Sequence, residues 1–212
     1  NIGGRFADLL RVVVQEPLML GSLDQNRSAG PNSRFAKERG MGLNENYARE
    51  LLELHTVGAD GAYQQADVIE LARVLAGLSV RKGVFEWQKG RAEPGEKRVL
   101  GKVYGSPKPV LEDVFAALED LAVHPDTARH LAWKLAVHFV SDQPDPGLIT
   151  HMAARYRAAD GGLSALYTSM LEHPAAWTLP GNVKWPFEYL VSGRKALSVP
   201  PERKLAASTK DI

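Results

Sequence analysis

Apolar side chains recur at helical spacing along most of this chain, in short segments separated by glycine and proline. Leu131, Leu135 and Phe139 repeat every four residues. Val68, Leu71, Ala72 and Leu75 fill one face of a segment at about 66–76, and Tyr47, Leu51 and Leu54, with Leu52, form another stripe. Such spacing buries one face of each segment, so the chain has to fold by packing helix against helix. Further helices are predicted at about 5–15, from Pro17, and over 110–122, 148–159, 163–171 and 186–191, with Gly58 and Gly77 as stops. No repeated βαβ unit, coiled coil or fixed-period solenoid appears. The pattern predicts a mainly α, irregular multi-helix bundle. It reads as a single domain over 1–200 with a flexible tail at 201–212.

Residues 78–109 depart from this pattern. Val84–Trp87 and Arg98–Tyr104 read as short extended runs, with Gly90, Pro94 and Gly95 between them. The expectation is a small, irregular β-hairpin-like insertion in which these two runs pair. From Arg81 to Lys108 there are eight basic residues against three acidic ones, with Phe85, Trp87 and Tyr104 interleaved. Basic and aromatic side chains on a projecting hairpin suit an anionic polymer or a glycan. The same three aromatics are candidates for the centre of a protein interface. Residues 21–43 form a turn-rich segment, long for a plain connector.

The chain contains no cysteine, which excludes disulfide scaffolds, thiol catalysis, iron–sulfur centres and Cys-zinc sites. A formal net charge of +1 makes no strong case for nucleic acid. No apolar run reaches membrane-spanning length. No phosphate-binding glycine loop or nucleophile elbow is present. His130 and His138 share a helix face with Lys134 between them, a cation in the middle of any such metal site.

The densest polar cluster is Asn44-Glu45-Asn46-Tyr47-Ala48-Arg49-Glu50-Leu51-Leu52-Glu53-Leu54-His55. Asn46, Glu50 and Glu53 fall on one side of a helix, and Arg49 can pair with Glu45 or Glu53 one turn away. Glu50 and Glu53 are the candidate catalytic acids and His55 the candidate base. With Asp60, the two glutamates are also the candidate ligands for a divalent metal. No other cofactor is expected. Arg49, Asn46 and Tyr63 are candidate binding residues. The bland reading of the cluster is a polar network, in which Asn44 or Asn46 bonds to backbone near residues 30–42 and ties down the long loop.

The run Leu43–Gly58, followed by Asp60-Gly61-Ala62-Tyr63 and Asp67-Val68, resembles the signature of the bacterial family DUF1800. The resemblance continues through Pro94-Gly95-Glu96-Lys97, His124–Ala132, and Lys184 with Pro186-Phe187-Glu188. It implies that the chain is similar to the C-terminal half of longer family members. The first residue, Asn1, fits that expectation of a fragment or processed product. The resemblance also implies a periplasmic or exported location and an envelope protein partner. Many members carry a histidine where this chain has Ala92, so a metal site using that side chain is not carried over. The reading favoured here is a cell-envelope interaction or scaffold protein. The alternatives are a metal-assisted hydrolase using the Glu/Asp cluster and a binder of anionic polymer or glycan through the basic aromatic segment.

Overall fold

A computed structural model describes residues 2–178 and 181–199. The elements run α1 (Phe6–Val14), α2 (Pro17–Ser22), α3 (Arg34–Arg39) and α4 (Asn46–Glu50), which continues into a π-helical turn at Leu51–His55. After α5 (Gln65–Leu75) come β1 (Leu78–Arg81), β2 (Val84–Trp87), β3 (Lys97–Val99) and β4 (Lys102–Tyr104). The chain then returns to helices: α6 (Leu111–Ala122), α7 (Pro125–Phe139), α8 (Pro146–Ala158), α9 (Leu163–Glu172) and α10 (Pro186–Ala196). The architecture is the expected mainly helical bundle with a small β insertion. The tail expected at 201–212 lies outside the described residues.

One apolar core runs through the bundle. The α5 stripe of Val68, Leu71, Ala72 and Leu75 is fully buried, as its spacing requires. It meets Tyr47, Leu51 and Leu52, which are equally buried. The Tyr47 hydroxyl, sealed in this core, donates to the carbonyl of Val14 at 2.9 Å, so its polar end is satisfied. α7 departs from its apparent stripe. Its buried side chains are Thr127, Ala128, Ala132 and Ala136, whereas Leu131 and Leu135 are half-buried and Phe139 is exposed. The small residues let α8 approach closely, and Leu148, Met152 and Tyr156 of α8 supply the buried volume.

The strand partners differ from those expected. β2 pairs with β1, and β3 pairs with β4, each as a local antiparallel ribbon. Lys82-Gly83 and Leu100-Gly101 form the two turns, all four with positive φ. Two-residue turns of that kind match strand twist and close a short loop, so each strand finds its sequence neighbour first. The segment just ahead of α1 is held by an isolated β-bridge between Arg5 and Gly162. Phe6 N donates to Gly161 O at 2.9 Å, and Leu163 N to Gly4 O at 3.0 Å. Arg5 and Arg11 both reach Glu119 of α6.

Candidate functional site

The signature helix changes pitch where its polar residues end. The Thr56 hydroxyl donates to Leu51 O at 2.8 Å, and Gly58 N donates to Leu52 O at 2.9 Å, closing the wider π turn. A wider turn rotates the following side chains off the α stripe, and Leu54 is accordingly 54% exposed. The same turn turns the Leu54 carbonyl toward α7. Lys134 Nζ donates to it at 3.1 Å, and His130 Nε2 lies 3.4 Å away. A carbonyl only accepts, so a hydrogen bond from His130 to it uses the tautomer with the proton on Nε2. Gly58, at φ 86, lets the imidazole pass: a Cβ there would lie 2.7 Å from His130 Nδ1.

Arg49 sits in a closed ring of partners. Its Nη2 donates to Gln65 Oε1 at 2.7 Å, and it stands 3.7 Å from Glu45 and 3.5 Å from Glu53. Gln65 returns a bond to Glu45 at 2.6 Å, and the Tyr63 hydroxyl donates to Glu53 at 2.9 Å. Burial, then Glu53, raises the Tyr63 pKa. Arg49, Tyr63 and Glu53 thus meet, but they consume one another. Asn46 is exposed, and its backbone N–H donates to Asn44 Oδ1 at 2.9 Å.

A cleft of about 380 Å³ opens beside this ring, between the loop after the π turn and the first half of α7. Glu53 and Asp60 line it together with Asp126, Arg129, His130 and Trp133. Asp126 accepts from Ala62 N at 3.0 Å, which fixes the loop on the α7 N-terminus. Glu50 and His55 are not among the lining residues. They are half-buried near each other, and His55 has its pKa lowered first by burial and then by Lys134. Glu50, Glu53 and Asp60 therefore do not face one cavity, and among the described residues no three acidic or histidine side chains form a group able to hold a metal. The passage from α to π pitch lies between Glu50 and Glu53, and Asp60 comes from the loop beyond the π turn.

The aromatic trio of the insertion is also redirected. Phe85 and Trp87 are half-buried against the core, and the Trp87 ring covers Gly77 so closely that a Cβ there would meet it at 2.7 Å. Tyr104 is buried, with its hydroxyl bonded to Asp120 at 2.8 Å. Local strand pairing folds these rings inward, so they do not form an exposed aromatic centre.

The long loop is anchored by residues that its own sequence does not announce. Asn44 does hold it, but its Nδ2 donates to Leu23 O at 3.0 Å and its backbone N–H to Ser28 Oγ at 3.0 Å, rather than to backbone at 30–42. Residues 30–35 are held by the segment after β2. Glu93, 1% exposed, accepts from Asn32 N at 2.8 Å, Asn32 Nδ2 at 2.7 Å and Arg73 Nη2 at 3.0 Å. Lys97, 3% exposed, donates to the carbonyls of Glu93 and Gly95, each at 2.8 Å, and burial lowers its pKa. The only sequence signal for this knot was that Glu93 and Lys97 flank a Pro-Gly turn.

Beyond α9 the chain is anchored and then exposed. Asn182 donates to Val137 O and His138 O at 2.8 Å, and Val183 N donates to Asp142 at 2.9 Å. From there Val183, Trp185, Phe187, Tyr189, Leu190, Val191 and Leu197 are between 48% and 77% exposed.

A family model described as a protein of unknown function, DUF1800, matches residues 1–211. The match runs over nearly the whole chain, which corrects the expectation that the resemblance marks only a C-terminal half. No curated protein and no solved structure matches the chain.

Proposed function

Because the chain belongs to the DUF1800 family, whose description assigns no activity, we propose from its geometry that it is an interaction or scaffold protein whose contact element is α10. The observation that carries this reading is the exposed apolar run from Val183 to Leu197. A monomer seldom leaves so many large apolar side chains in water on one segment. The base of the segment is fixed to the α7 C-terminus by Asn182 and Val183, so the helix is presented rather than loosely tethered. The fitting partner is a protein with an apolar groove, able to take an aromatic-rich helix. The envelope location implied by the resemblance makes an envelope protein the natural candidate. The signature ring supports the same reading, since Arg49, Glu53, Tyr63 and Gln65 satisfy one another instead of converging on a substrate.

The test is site-specific photo-crosslinking in the native cell. A crosslinker at Phe187 is expected to give one discrete adduct, lost in a Tyr189→Asp/Leu190→Asp variant and absent from a control at the exposed Gly40. No adduct above the control, together with turnover in a hydrolase screen supplemented with divalent metals, would reverse the reading in favour of an enzyme.

A further inference from the structure

We propose that the surface channel passing the N-terminal half of α7 binds an acidic saccharide, with a sugar ring stacked on Trp133 and its acid groups paired with Arg129 and Arg157. This site is separate from α10. The cleft beside the π turn and a second groove of about 530 Å³ along α8 share Arg129 and Ile149, so they adjoin there, and the two hollows together make up the channel. Trp133 lines the cleft at 47% exposure. His130 stacks on it, ring centroids 6.3 Å apart and 21° from parallel, which steadies the indole.

The two arginines are the second observation. Neither Arg129 nor Arg157 has an ion pair or a side-chain hydrogen bond among the described residues. Both line the α8 groove, and no carboxylate lines it with them. On the groove side two guanidiniums thus stand without a carboxylate, Arg129 at the border with the acidic cleft and Arg157 farther along, and their planar donor forks suit carboxylate or sulfate.

The cleft end has the opposite character. Glu53, Asp60 and Asp126 line it, and Asp60 has no hydrogen bond or ion pair among the described residues. Asp60 is therefore the acceptor open to hydroxyl donors, while all three carboxylates repel acid groups. A ligand spanning the channel therefore needs a flat apolar face for Trp133, hydroxyls at the cleft and an acid at the groove. An acidic peptide lacks the ring of hydroxyls. A nucleic acid would bring phosphates against the three carboxylates whenever a base stacked on Trp133. A saccharide bearing uronic or similar acids meets all three demands.

The experiment is calorimetric titration of the full chain with linear tetragalacturonate, its neutral methyl ester and tetraglutamate. Tetragalacturonate is expected to bind, weakening with added salt, and the other two to bind at least roughly tenfold more weakly. Trp133→Ala and the double variant Arg129→Ala/Arg157→Ala are each expected to lower affinity by roughly tenfold or more, and Arg129→Lys/Arg157→Lys to restore part of it. Both arginines are surface side chains without partners, so the double variant keeps the test decisive should Trp133→Ala unfold. Failure of tetragalacturonate to bind, equal binding of the ester or of tetraglutamate, or full affinity in the arginine double variant would overturn the proposal.

Discussion

Lys134 donates to the backbone carbonyl of Leu54 at 3.1 Å, across 80 residues of sequence. The contact exists because the π turn frees that carbonyl from the helix ladder and aims it at α7. His130 Nε2 backs up the same oxygen at 3.4 Å. An acceptor with two donors tolerates the loss of one better than the loss of both.

Lys134→Met and His130→Ala are accordingly expected to cost about 1 kcal/mol or less each, and the double variant more than their sum. Denaturant unfolding of the four proteins measures the coupling. Simple additivity would mean that the carbonyl finds water in either single variant.

Glu93→Ala is expected to cost roughly 2–4 kcal/mol, because it leaves the Arg73 guanidinium and the Asn32 donors without their buried acceptor. Glu93→Gln keeps an acceptor at the same place and is expected to cost less. The same unfolding assay decides, and equal midpoints for wild type and Glu93→Ala would remove the knot from any structural role.

Gly77→Ala and Gly40→Ala separate backbone strain from collision. Gly77 has φ 109, and its missing Cβ leaves room for the Trp87 ring. Gly40 has φ 65 with open space around it. The Gly40 change is expected to cost about 1 kcal/mol and the Gly77 change more than about 2 kcal/mol. Comparable losses in thermal melts would show that the Trp87 contact gives way easily.

Acidification is expected to weaken the fold below neutral pH. His55, His124 and His130 each have a folded pKa lowered from 6.5, in every case first by burial. Lys134 adds to this at His55 and His130, while Glu50 opposes it at His55 and Asp126 at His124. As pH falls through 6.5, the unfolded chain takes up protons that the folded chain resists, so stability drops and then levels off below the folded values. His55→Asn should flatten the slope of melting temperature against pH. A melting temperature that rises on acidification would contradict the sign.

The helical body was legible because apolar periodicity is a local property. α5 buries the four residues that its spacing nominates, and Pro17, Pro125 and Pro186 stand at first helical positions. α7 misled because two periodic sets overlap on it, a leucine set and an alanine set, and only the neighbour α8 selects the alanines. The candidate site was half legible. Glu53, Asp60 and Tyr63 do gather near the cleft, since they are close in sequence. Asp126, which holds Ala62 across 64 residues, joins them with Arg129 and Trp133, and no spacing rule links segments so far apart. The π turn was equally hidden. Its sequence, Leu51-Leu52-Glu53-Leu54-His55, reads as ordinary helix, and the departure depends on Thr56 and Gly58 closing it.

The bridge between Arg5 and Gly162 has a consequence for synthesis on the ribosome. Its hydrogen bonds join residues 4–6 to residues 161–163. α1 can pack on α6 once residue 122 has emerged, but its leading end stays open until α9 begins to leave the exit tunnel. During that interval Phe6 and Leu10 depend on incomplete cover, and a nascent chain is at its most vulnerable to chaperones and to self-association. Slowing translation after α6 is expected to lengthen that exposure, which ends when residues 161–163 reach residues 4–6.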